Sequence, residues 1–186
     1  MKEIEYIDSE HIYLIGGVIV KSVTQLLHKL FPDKYKNVPQ YILDKKAIYG
    51  SKVHKSIEEL ESNKLDKKEI KEFYIQLSIN EYFRLKKKYE INVLEQEQMI
   101  HYKKYFAGRF DMVATINGEL CLCDIKTTAE LDKEYLSWQL SMYELGDGRH
   151  FDKFYCIWLP KGGIGKLIEI ERIEKEKILK EIGEIK

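Results

Sequence analysis

The dipeptide Asn117-Gly118, set between "GRFDMVATI" and "ELCLCDIKTT", constrains this chain more than any other feature. A two-residue hairpin loop of the favoured type needs positive φ at both central positions, and Asn-Gly tolerates that best. If those two residues are the whole loop, Ile116 pairs with Glu119 and every outward step is fixed. Followed outward, the register sets Asp111 across from Asp124. Cross-strand neighbours have Cβ atoms about 4.5–5.5 Å apart, and like charges there are destabilising. A compensating cation is therefore expected.

Strand alternation decides which side chains cooperate. Leu120, Leu122, Asp124 and Lys126 share one face, and Cys121, Cys123 and Ile125 take the other. Asp111 would then share its face with Asp124 and Lys126, giving two carboxylates and an ammonium beside apolar residues. Such a group suits Mg²⁺ or Mn²⁺, hard cations that prefer oxygen ligands.

A chain of 186 residues with 44% hydrophobic and 33% charged residues fits one domain with a sizeable core. Formal net charge is zero, so global charge does not announce a nucleic-acid partner. Locally, seven lysines between His28 and Lys55 stand against Asp33 and Asp44, and Lys86-Lys87-Lys88 and Lys103-Lys104 add smaller basic clusters. Three cysteines, two of them a residue apart in a predicted strand, suggest reduced thiols and a cytoplasmic setting. No signal peptide or membrane span is expected.

Periodicity predicts a hairpin over 3–8 and 11–20, then a helix over "SVTQLLHKLF" with Ser22 as N-cap. A basic loop should follow through Pro32 and Pro39, with a second helix entered at Gly50-Ser51. "DKKEIKEFYIQLSINEYFRLKKKY" reads as a helix with Ile70, Phe73, Leu77, Tyr82 and Leu85 on its apolar face. Strands are predicted at about 92–101, 108–116 and 119–126, then a helix through "LDKEYLSWQLSMYELG" closed by Gly146. "KFYCIWL" and "GKLIEIERI" are later strands, and "EKEKILKEIGEI" a terminal helix. The order implies an α/β (α+β) domain with a mixed central sheet flanked by helices. Residues 1–90 carry the hairpin and helices, 91–160 the core, and 161–186 a closing strand and helix.

Gly108-Arg109-Phe110-Asp111 followed by Asp124-Ile125-Lys126 resembles the G-x-x-D…(D/E)-x-K core of the PD-(D/E)xK nuclease superfamily. "YGSKVHKSIEELE" is similar to the histidine helix of its RecB-like exonuclease branch, with members in phage and in mitochondrial genome maintenance. "KSVTQLLHKLF" resembles that branch's S-V-T entry segment, and "WQLSMYE" its Q-x-x-x-Y helix. These motifs stand in the family's order between about residues 11 and 159.

The resemblance implies a restriction-endonuclease-like core and metal-dependent exonucleolytic cleavage of DNA, single-stranded or with single-stranded ends. It implies metal ligation by His54, Asp111, Asp124 and the carbonyl of Ile125, with catalytic roles for Lys126, Asp111, Asp124 and Gln139. Glu58, one helical turn beyond His54, could orient the imidazole. A further site glutamate falls to Glu95 or Glu97, with Glu97 preferred on spacing. DNA contacts are expected from Ser22, Thr24, Lys52, Gln139 and Tyr143. Cys121, Cys123 and Cys156 are too few and wrongly placed for the iron–sulfur cluster of some members. The competing expectations are a structure-specific or nicking endonuclease, and a non-catalytic DNA-binding or assembly protein. A phage origin would put the protein in a host cytoplasm.

Overall fold

The strand from Phe106 to Ile116 (β5) organises the molecule. In the computed structural model, which describes residues 4–7 and 12–185, one edge of β5 is taken by Asn92–Tyr102 (β4), paired from Asn92↔Thr115 to Tyr102↔Phe106. The other edge is shared. Glu119–Lys126 (β6) pairs antiparallel with its far half, from Ile116↔Glu119 to Met112↔Cys123. Val18–Ser22 (β3) pairs parallel with its beginning at Lys21↔Phe106 and Ser22↔Ala107. Between them, Gly108 to Asp111 meet no strand on that edge. The sheet is open there.

Ile4–Ile7 (β1) and Ile12–Ile15 (β2) extend the sheet beyond β3, while Lys153–Trp158 (β7) and Lys166–Ile170 (β8) extend it beyond β6. Val23–Leu30 (α1), Lys133–Asp147 (α4) and Lys175–Glu181 (α5) cover one face, with Val23, Leu27, Leu136, Leu140 and Ile178 against Phe106, Phe110, Val113, Leu122 and Phe154. Gln40–Glu61 (α2) and Phe73–Lys88 (α3) cover the other, with Val53, Ile57, Ile79 and Tyr82 on Met112, Ala114, Cys121, Cys123 and Ile125. The result is a single mixed α/β domain of eight strands and five α-helices among the described residues. No described helix is long and apolar enough to cross a membrane.

Burial on both faces explains why β6 reads as the near-continuous apolar run "LCLCDI". Strand β5 breaks alternation. Phe106, Phe110 and Val113 face α1 and α4, whereas Met112, Ala114 and Ile116 face α2 and α3, so the parity changes around Asp111.

Several local expectations are corrected. The predicted strand 11–20 is divided at Gly16-Gly17, whose φ values of +57° and +78° make a turn between β2 and β3; positions 3, 8 and 11 lie outside the described residues. The basic stretch after Pro39 is helical, and Gly50 lies inside α2 rather than at its start. A Cβ at Gly50 would come within 3.2 Å of Thr127 Oγ1, so the glycine permits a close approach to the end of β6. The left-handed residue ending α4 is Gly148, φ +84°, not Gly146. Phe73, expected in the core, is exposed, and α3 buries Ile75, Ser78, Ile79, Tyr82 and Leu85 instead.

Gly108 lies under the Tyr143 ring, where a Cβ would meet Tyr143 Cε1 at 2.8 Å and Val23 Cγ2 at 3.1 Å. Both neighbours are buried, so Gly108→Ala should cost about 1–3 kcal/mol by overpacking. Thermal unfolding should show a loss of several degrees, at roughly 2–4 °C per kcal/mol for a domain of this size. An unchanged melting temperature would mean that the Tyr143 ring is not held against the strand.

Candidate metal centre in the open sheet edge

Three elements converge on the opening. Asp111 stands on β5 where the ladder to β6 ends, and its Oδ2 accepts the Ile125 N–H at 2.7 Å. The same oxygen is 3.5 Å from Nδ1 of His54, presented by α2. The Asn-Gly register holds from Ile116↔Glu119 to Met112↔Cys123, but the strands part before the next step. Asp111 therefore bridges the opening strands instead of pairing with Asp124.

A carboxylate does oppose Asp111, but from β4. Gln96↔Met112 and Gln98↔Phe110 leave Glu97 across from Asp111. Glu97 has φ +50°, in the left-handed region that costs a non-glycine residue energy and that clusters at functional sites. Ligand atoms of His54, Glu97 and Asp111 all lie within 4.8 Å of one another. An imidazole and two carboxylates form a set suited to a divalent cation, the nitrogen moving preference towards Mn²⁺ relative to an all-oxygen site. Glu95 keeps the same register but stands across from Val113, two positions from the residue that faces Asp111, and both its oxygens pair with Arg149 at 2.5 and 2.9 Å.

Asp124 and Lys126 form a second group. Asp124 is buried on β6, and its Oδ2 is 2.7 Å from Lys126 Nζ. Burial pushes the Asp124 carboxyl up to about 6, with Lys126 opposing and Asp111 adding to the rise. Burial disfavours the Lys126 ammonium, but Asp124 and Asp111 outweigh it and hold the group charged. Asp124, expected as a metal ligand, thus engages Lys126 and lies outside the His54–Glu97–Asp111 set. Ile125 enters through its N–H; its carbonyl projects to the same strand edge, because the two groups of one strand residue face the same neighbour.

Electrostatics around Asp111 follow from this crowding. Burial opposes its charge, yet His54, Lys126 and the Ile125 N–H keep its carboxyl below the usual range. Burial likewise opposes charge on His54, but Asp111 wins and raises the imidazole. Glu97 rises to about 7 through burial and then repulsion from Asp111, with Arg109 opposing. The Arg109 Nε is 2.9 Å from Glu97, and its guanidinium lies 5.5 Å from the centroid of the Tyr6 ring.

The opening continues into a cavity of about 990 Å³ whose lining includes Ser22, Thr24, His54, Glu58, Arg109 and Tyr143. Ser22 spends its hydroxyl capping α1, accepting from Gln25 N at 3.0 Å, and Thr24 stands beside it in the wall. Gln139 donates to the Tyr143 hydroxyl at 3.1 Å, and its buried Oε1 meets no donor among the described residues. Lys52 points elsewhere, pairing with Glu72 at 2.7 Å, while Lys55 and Lys64 line the cavity. Glu58 lies in the wall, but the partner His54 meets is Asp111. Tyr6, Tyr13 and Arg109 were missed from sequence; Arg109 had a signal in its place between Gly108 and Asp111, whereas the tyrosines arrive only through the β1–β2 hairpin.

No protein-family model matches the sequence, and no curated protein matches it. The crystal structure of SSO0001 shares the fold, with a TM-score of 0.50 and 16% identity over 89% of this chain and 73% of that one. At that identity the likeness is one of fold alone.

Millimolar Mn²⁺ should raise the melting temperature by several degrees, since a hundredfold excess over Kd stabilises by about 2.7 kcal/mol. Asp111→Asn retains an oxygen for the Ile125 N–H, and Glu97→Gln retains shape; each should lose most of the shift. A full shift in both variants would remove the proposed ligand set.

The metal-free protein has a defined pH dependence. Glu97 and Asp124, at about 7 and about 6 when folded, start from ordinary values of 4.5 and 3.8. Between those values the unfolded chain releases protons that the folded chain keeps, so stability falls as pH rises. The raised His54 adds the same sign above its ordinary 6.5. Melting in EDTA should therefore be higher at pH 5 than at pH 8, and Glu97→Gln should flatten the slope. An unaltered slope in that variant would show that Glu97 is not the group responsible.

Proposed function

We propose that this chain is a divalent-metal-dependent deoxyribonuclease that hydrolyses DNA phosphodiester bonds from free ends, preferring single strands. The observation that carries the reading is the convergence of His54, Glu97 and Asp111 at a sheet opening that also holds the buried Asp124–Lys126 pair. The order Gly108…Asp111, Asp124-Ile125-Lys126 and Gln139…Tyr143, with its resemblance to RecB-like exonucleases, supplies the reaction class.

His54, Glu97 and Asp111 would hold Mg²⁺ or Mn²⁺, with the Ile125 carbonyl as a further donor. A cation there would polarise the scissile phosphate and lower the pKa of a water. Lys126, fixed by Asp124 and kept charged, orients the attacking water and offsets negative charge gathering on the phosphate. Tyr143 lines the cavity, where it would meet the DNA backbone, and the buried Gln139 behind it donates to its hydroxyl. Contacts to the backbone alone give affinity without base readout. The setting that goes with this activity is cytoplasmic.

Asp124→Asn and Lys126→Gln should each reduce Mn²⁺-dependent cleavage of end-labelled DNA at least about a hundredfold, a scale usual for losing one charge-stabilising group. Thermal melts separate this loss from unfolding. Cleavage at the parental rate by either folded variant would remove Asp124 and Lys126 from the chemistry. Linear single strands should be degraded faster than closed circles of the same sequence; equal rates would favour an endonuclease.

A further inference from the structure

Helix α3 begins with two aromatic rings that its apolar stripe does not use. Phe73 and Tyr74 are 64% and 48% exposed and meet edge to face, with centroids 5.4 Å apart and planes at 70°. Tyr49 of α2 braces them, its hydroxyl meeting the Tyr74 carbonyl at 3.1 Å and Ser78 Oγ at 2.8 Å. Lys161, on the connection from β7 to β8, places Nζ 4.8 Å from the Tyr74 ring centroid and 5.1 Å from that of Tyr49. It pairs with no carboxylate among the described residues. The neighbouring acid, Glu72, is neutralised by Lys52 at 2.7 Å.

Helix α2 links this ledge to the cavity. Tyr49 precedes Gly50, which lines the cavity and lies against Thr127, the residue after Lys126. Exposed rings grouped in this way mark an interaction surface. Aromatic faces beside an unpaired ammonium match a partner made of flat rings on an anionic backbone. A duplex keeps its base faces stacked inside, so the chemistry selects a single strand.

We infer that Phe73 and Tyr74 stack bases of single-stranded DNA, with Lys161 meeting the adjoining phosphate, and so hold the strand beyond the cavity. The inference takes DNA as the strand from the nuclease reading. Its binding step needs neither metal nor cleavage, so the two can fail separately.

The test is fluorescence anisotropy of the full-length protein in EDTA with a labelled thymidine oligomer, an abasic oligomer of equal length and a blunt duplex. Phe73→Ser combined with Tyr74→Ser should weaken thymidine-oligomer binding at least about tenfold, from the usual loss per stacked base. Binding of the abasic strand and the duplex should be unchanged. Tyr74→Phe should bind as the parent does, because only the ring is required. Both positions are exposed, so the melting temperature should hold. Unchanged thymidine-oligomer binding by the double variant, or an equal loss on the abasic strand, would overturn the stacking. A variant that turns a dimer into a monomer with DNA affinity intact would make the ledge a contact between copies and overturn it as well. Absence of Mn²⁺-dependent cleavage alongside the expected binding loss would sink the nuclease reading and leave the ledge standing.

Discussion

One carboxylate oxygen closes the opening on which the architecture depends. Asp111 Oδ2 accepts the Ile125 N–H and faces His54 Nδ1, so it ties β5, β6 and α2 together where the sheet lacks a ladder. A buried backbone donor left unpaired costs roughly 1–3 kcal/mol, which makes this bond structural as well as chemical. The arrangement also gathers charge. Once Asp111 is fixed, Glu97 on the other edge and His54 from the helix layer have little choice but to share its field.

Much of the centre of the fold was legible because its signals are local. Asn117-Gly118 fixed the hairpin, Asn117 and Gly118 adopting φ +51° and +87°, and the predicted pairs hold until the strands diverge. The apolar run in β6 and the capping role of Ser22 were readable for the same reason. What failed depended on partners distant in sequence. Gly146 was read as a helix terminator, yet a Cβ there would meet Ile100 Cδ1 at 2.5 Å, so its purpose is close packing on β4. The basic stretch before Gly50 contains no residue that forbids a helix, and its lysines masked the continuation of α2.

The candidate site was legible in membership more than in pairing. Spacing picked out Asp111, Asp124 and Lys126, and the family resemblance added His54. The expected opposition of Asp111 to Asp124 does not form; the carboxylate across from Asp111 is Glu97, on the edge that the turn does not control. Two changes of phase hid this: the parity switch in β5 and the left-handed backbone at Glu97. Neither leaves a mark in a pattern of apolar and polar letters. A strand reading that assumes strict alternation passes over both.

The shared edge of β5 has a consequence for how the molecule breathes. The leaf formed by β1, β2 and β3 joins the sheet through Lys21↔Phe106 and Ser22↔Ala107 and packs its own small core of Tyr13, Ile15 and Val20 on Ala107. Local opening free energies are lowest where few pairs must be broken. Amide protons of this leaf should therefore exchange ahead of those in β4 through β7. The wall carrying Tyr6 and Tyr13 is thus built on a more weakly paired part of the sheet than the strands that hold the domain together, so access to the cavity and the stability of the domain depend on different parts of the chain.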